Sequence, residues 1–193
     1  MIIQGQLPKN PHPQQRIFYP HAIGTTVSRD AGKTWNTFPL KEGDNGVYME
    51  GGAIQLKDGT ILALETYVTP GSQPDTGEGL MYQSNDDFKT LSGPIPITFS
   101  MPGADFYGSS DDGGRPHIAM RLHRRIIELP NGDLMTTIYG YMKGDNEYSE
   151  YATKMKKTRA MLFRSGNKGR HWIMCLQLLQ RKISEQKVLV SRS

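Results

Sequence analysis

The side chains with chemical potential sit in four wide connections and along one strand. Arg121, His123 and Arg125 alternate onto one side if residues 120–125 are extended, which would make a basic wall. Carboxylates gather in the connections: Glu50 in Tyr48-Met49-Glu50-Gly51-Gly52, Asp111 and Asp112 in a Ser/Asp/Gly loop, and Asp145 in Lys143-Gly144-Asp145-Asn146-Glu147. Tyr139 and Tyr141 could offer a stacking surface to a ligand, or could simply pack at the end of a strand. Arg124 and Arg125 have the bland alternative of covering a strand edge, and each aspartate that of an ordinary turn residue bonding to nearby N–H groups. His21, His117, His123 and His171 lack metal-ligand spacing, and the Asp-rich loops do not follow the EF-hand pattern, so neither a metal nor a cofactor is expected. No phosphate-cradling Gly loop precedes a helix, and no serine nucleophile elbow is present.

The elements that must position these groups are read from two recurring patterns. The first is Ser28-Arg29-Asp30-Ala31-Gly32-Lys33-Thr34-Trp35. An Asp able to bond to N–H groups two residues on, followed by a Gly that tolerates positive φ, folds a tight corner between two strands, and the indole packs beneath it. The pattern returns with Ser84, Asp86 and Thr90, where Phe88 replaces the Gly and Leu91 the Trp. It returns again with Ser165, Asn167, Gly169 and Trp172, where His171 replaces the Thr. The second pattern is an apolar run, a Gly turn and another apolar run, at residues 53–64 around Asp58-Gly59 and at 126–137 around Asn131-Gly132, a strong hairpin signal. Each hairpin is followed by a wide connection, a strand (residues 80–83 and 159–164) and a corner. The unit is four antiparallel strands. Because the corners and the Gly hairpins share one end, the wide connections 41–52, 66–79, 101–120 and 139–157 emerge at the other.

Corners of this kind are Asp boxes, and the chain resembles the sialidase (neuraminidase) superfamily of β-propellers over residues 23–172. The resemblance implies an all-β fold of the six-bladed propeller type, with about two and a half four-stranded blades present: the outer half of one, a second over 51–99 and most of a third over 120–172. An open arc of that kind leaves strand edges unpaired. It implies the activity of a glycoside hydrolase of the exo-α-sialidase type on terminal acidic sugars of glycans, without a cofactor, secreted or periplasmic by family habit. Whether this chain, an incomplete fragment, is itself an enzyme stays open, and a non-catalytic Asp-box segment that binds glycan or protein is the alternative. Arg125-Ile126 resembles the family's Arg-Ile-Pro signature, whose Arg helps hold the substrate carboxylate, a task suited to a planar guanidinium fork. With Ile127 in place of Pro the match is partial. By loop position Asp145 matches the family's acid/base, with Asp111 and Asp112 as competitors and Glu50 on the same rim. Arg121, His123 and Tyr139 join Arg125 as substrate-binding candidates. The nucleophilic Tyr–Glu pair has no counterpart.

Composition fits a turn-rich β protein: 36% hydrophobic residues, 21 Gly and 12 Pro in 193 residues. Residues 1–15 are polar and Pro-rich, without the apolar core of a signal peptide, and no run is long enough for a membrane span. A single cysteine gives no disulfide framework. The net charge is +4, of which Arg181, Lys182, Lys187 and Arg192 against Glu185 supply +3, so residues 1–172 are near neutral and a nucleic-acid partner is not expected. After Trp172, Gly and Pro vanish and residues 173–182 read as a weak helix. Residues 173–193 are therefore expected to be an aberrant tail attached to the domain 1–172. Codons permitted for residues 183–192 give, in another frame, a Glu-Gly-Phe-x-Glu-Pro stretch similar to the family's continuation after an Asp box.

Overall fold

A computed structural model describes residues 1–11, 21–37, 49, 52–107, 120–150 and 156–178. All twelve elements in them are strands, so the all-β expectation holds. In chain order they are β1 (Ile2–Pro11), β2 (His21–Val27), β3 (Asn36–Thr37), β4 (Gly52–Gln55), β5 (Ile61–Leu64), β6 (Tyr67–Pro70), β7 (Thr76–Ser84), β8 (Ser92–Ser100), β9 (Met120–Glu128), β10 (Leu134–Gly140), β11 (Arg159–Ser165) and β12 (His171–Leu178). The clearest sequence-to-strand link is β10: Leu134, Thr136, Ile138 and Gly140 are buried, while Met135 and Thr137 are half-buried and Tyr139 exposed. That period-2 alternation places one face of the strand in a core.

Two antiparallel meanders follow the unit read from the sequence, β4–β5–β7–β8 and β9–β10–β11–β12. Their assembly corrects the expectation of a partial six-bladed propeller. The meanders do not stand apart as separate blades. The short strand β6 pairs with β7 through Thr69 and Pro70 and with β9 through Tyr67 and Val68. On the other side β12 runs parallel to β8, matching His171 to Thr98 and Ile173 to Ser100. Seven strands, β7-β6-β9-β10-β11-β12-β8, thus close into a barrel, with β5 and β4 continuing from β7 and a separate sheet β1-β2-β3 alongside. The physical reason lies in residues taken for plain connection: Tyr67-Val68-Thr69 is an aromatic and β-branched run that pairs as a strand. Closure gives β8 and β12 partners where unpaired edges were expected.

Two further expectations are corrected. Ile173 to Leu178 is not helical but the body of β12, paired with β11 from Arg164↔Ile173 to Ala160↔Leu178. The Pro-rich N-terminus, for which no strand was expected, forms β1 through Pro11 and pairs with β2 from Ile2↔Val27. Residues 12–20 and 179–193 lie outside the described residues.

Two cores hold these sheets together. The larger packs Leu62, Leu64, Met81, Ile97 and Phe99 of the first meander against Leu122, Ile126, Leu134, Ile138, Met161, Phe163 and Trp172 of the second. Phe99 stacks on Trp172 with ring centroids 6.3 Å apart, and meets Phe163 edge-on at 5.7 Å. The smaller joins Val27 of the three-stranded sheet and Met49 to Ala63 and Phe88. A full aromatic burial of this sort is the largest single stabilising element such a sheet joint can hold.

Candidate functional site

The corners and the wide connections occupy opposite ends, as strand order requires. At the corner end the three Asp boxes repeat one hydrogen-bond scheme. In the first, the Ser28 hydroxyl donates to Asp30 (2.9 Å) and accepts from the Gly32 N–H (2.7 Å), while the Thr34 N–H and hydroxyl donate to the two Asp30 oxygens (2.9 and 2.6 Å). In the second, Ser84, Asp86, the Phe88 N–H and Thr90 make the same contacts. In the third, the Asn167 carbonyl replaces the carboxylate, accepting from Ser165 (2.9 Å) and from the His171 N–H (2.9 Å). Each scheme needs two successive left-handed residues, Ala31-Gly32, Asp87-Phe88 and Lys168-Gly169. The indoles of Trp35 and Trp172 donate alike, to Gly32 O (3.1 Å) and Gly169 O (2.9 Å).

These bonds favour the charged acids. The Thr34 hydroxyl, then its N–H, lowers Asp30 from 3.8 to about 2, and the Thr90 N–H, then its hydroxyl, lowers Asp86 from 3.8 to about 2. Because the folded pKa lies below the unfolded one, the unfolded chain binds more protons between these values. The corner contribution is therefore complete above about pH 4 and is lost as pH falls towards 2. The expected result is a melting temperature that drops across that window, and a shallower drop in Asp30→Asn and Asp86→Asn, whose corners would match the uncharged one at Asn167. An unchanged acid slope in the double variant would refute this account.

At the other end, the connections brace one another. Asp75 accepts from the Lys143 ammonium (2.9 Å) and the Gly103 N–H (3.2 Å), and Gly103 O accepts from the Lys143 N–H (2.8 Å). Asp145, the leading acid/base candidate, is held by Arg159: Nε donates to Oδ2 at 2.6 Å and Nη2 donates to Oδ1. Arg159 therefore holds the Asp145 carboxyl below its usual range, and the Arg159 guanidinium is raised in turn. A general acid must carry a proton near neutral pH. The fork on both oxygens opposes that, so Asp145 is a brace between the start of this connection and β11.

The strand of the expected basic wall is irregular. Thr136 faces Ile126 and Ile138 faces Leu122, so β9 carries a bulge over 123–125 where β10 spends one residue. Arg125 is exposed there, its carbonyl accepting from the Thr136 hydroxyl (2.9 Å). His123 lies within the same bulged stretch of β9. Arg121 is in regular register with Tyr139 of β10 and with Tyr67 of β6, its guanidinium 5.7 Å from the Tyr67 ring. The structure thus brings Tyr67, Arg121 and Tyr139 onto one face of three adjacent strands. Glu50, Asp111 and Asp112 lie outside the described residues.

Tyr67, Arg159 and the buried Glu65 were missed in the sequence. The available signals were a charge ending the apolar run 61–64 and an Arg opening the strand after the Asp145 loop. A groove of about 580 Å³ lies at the corner end between the three-stranded sheet and the first meander, lined by Val27, Arg29, Ile54, Ile61, Asp87 and Phe88 among others. It has no part in the rim.

Among the described residues no three His, Cys, Asp or Glu side chains come together as a metal site, and no helix is long and apolar enough to cross a membrane. No family model matches the chain, and no curated protein does. A solved structure it is similar to is that of a protein of unknown function from Dyadobacter fermentans DSM 18053, at 19% identity and a TM-score of 0.50. The match covers 84% of this chain and 45% of that one. It is a likeness of fold alone, and the chain spans less than half the length of that protein.

Proposed function

We propose that this chain is part of a sialidase-like glycoside hydrolase acting on terminal acidic sugars of glycans, and that its own contribution is to bind the sugar. The observation that carries this reading is the row Tyr67–Arg121–Tyr139. It sets a guanidinium between two aromatic side chains in ladder register at the end opposite the corners. A guanidinium fork matches a carboxylate, and flanking rings give stacking surface to a sugar. The Asp boxes support kinship with the superfamily but are turn devices, silent on activity.

A charge-assisted bond of this kind is worth about 1.5–3 kcal/mol. Arg121→Gln is therefore expected to weaken binding of a carboxylated sugar by about 10- to 100-fold while leaving a neutral sugar unaffected. The test is calorimetric titration with sialic acid and a neutral hexose, alongside hydrolysis of a fluorogenic sialoside. Equal loss for both ligands, or none, would remove Arg121 from the site. Asp145→Asn is expected to alter stability and leave any hydrolysis in place; abolished turnover in a folded variant would restore Asp145 as the acid. The second reading, glycan or protein binding without catalysis, is favoured by that same brace on Asp145. Binding without hydrolysis, in this chain and in a longer one, would select it.

A further inference from the structure

We infer that the outer face of β9–β12 is a docking surface for a second copy of this chain, which presents its three-stranded sheet through Trp35. The internal repeat supplies the template. Aligning the two hairpins on Gly59 and Gly132, and the corners on Ser84 and Ser165, sets Ile127 at the place of Ile54, Met135 at that of Leu62, and Leu162 at that of Met81. Ile54, Leu62 and Met81 form the face of the first meander that packs in the main core with Trp172. Their counterparts in the second meander face outward: Ile127 is 41% exposed, and Met135 and Leu162 are half-buried. Register continues the patch, since Ile127 faces Met135, Met135 faces Arg164 and Arg164 faces Ile173, itself 54% exposed.

The complementary face belongs to the three-stranded sheet. Trp35 holds the place of Trp172, with the same indole bond to its corner glycine, yet is 38% exposed where Trp172 is 0%. Ile3, whose neighbour Ile2 packs into the smaller core, is 54% exposed on the same sheet, opposite Thr26 of β2. Inside the molecule, Gly169 of the third corner sits close against the Met81 side chain, whose sulfur would lie 3.1 Å from a Cβ at that place. Gly32 holds that place in the first corner and Leu162 holds the place of Met81, so the same close approach is open between copies. The internal joint also carries Lys168 to Asp58 at 2.7 Å. Ala31 and Asn131 hold those two places, so the joint between copies lacks that ion pair.

A joint of this kind is head-to-tail, so each copy has one donor and one acceptor face and association is open-ended. Sedimentation velocity across a wide concentration range is expected to show the wild-type chain growing through dimers to larger species. Trp35→Asp and Ile127→Asp should each weaken self-association about tenfold or more. Both side chains are exposed, and circular dichroism checks that both variants fold. Mixed together, each variant retains the face the other has lost, so the mixture should form a 1:1 dimer and stop. A wild type that stays monomeric, variants that associate like the wild type, or a mixture no heavier than its parts would overturn the proposal.

Discussion

Trp172→Ala is expected to lower unfolding free energy by about 3–5 kcal/mol, the range for deleting a fully buried large aromatic. Three losses combine. The indole is wholly buried in the core shared by the two meanders, it stacks on Phe99, and its N–H bond to Gly169 O fixes the third corner. Trp35→Ala removes the same residue from the same motif at an exposed position, and about 1 kcal/mol or less is expected. Denaturant titration of the two variants makes the comparison. Equal effects would mean that the indole serves the corner itself and not the joint between sheets.

Phe88→Gly restores the glycine found at the matching place of the other two corners, and is nonetheless expected to destabilise. Two effects oppose each other. Phe88 adopts φ of 64°, a left-handed conformation that costs a side-chain-bearing residue about 1–2 kcal/mol and that glycine adopts freely. Against that, its ring is buried among Val27, Met49 and Ala63, and removing such a ring costs about 3–5 kcal/mol. The burial term wins, with a net loss of about 1–4 kcal/mol. The loss should be local: hydrogen exchange of β1 and β2 should speed up more than that of β10 and β11, since Phe88 joins the three-stranded sheet to the first meander and Arg29 donates to Phe88 O. A stabilised variant would show that the backbone strain dominates.

Phe88 also marks where the sequence was informative and where it misled. The corners were legible because their chemistry is local: Ser, Asp or Asn, and a residue at positive φ complete each turn within eight positions. The hairpins around Gly59 and Gly132 were legible for the same reason, and so was the antiparallel order of each meander. The assembly of the meanders was not, because it depends on contacts far apart in the chain. The parallel match of β12 to β8 has no local pattern, and Tyr67-Val68-Thr69 is too short to stand out from a loop. The tail after Trp172 suggested a helix because its apolar residues are unpunctuated by Gly or Pro, yet Ile173 to Leu178 continue the sheet, where pairing with β11 overrides weak local preference.

The site was legible only in part. Arg121 and Tyr139 were picked out, and the structure adds Tyr67 through β6. Between Arg121 and Arg125 the ladder is interrupted by a bulge over 123–125, which no local pattern in the sequence announced. Asp145 was chosen for its loop, and loop position carries no information about a partner fourteen residues on. Arg159 decides its protonation.

The parallel seam between β8 and β12 sets an order on folding during synthesis. Thr98 and His171, hydrogen-bonded at 2.8 Å, are 73 residues apart in the chain. Loop-closure entropy makes such a contact late, and topologies dominated by distant pairings fold slowly. While the ribosome is still making the second meander, the first has completed β8 on β7 and has nothing to lay against its other edge. That nascent intermediate is the one a chaperone would have to shield, and the interval lasts until β12 has left the exit tunnel.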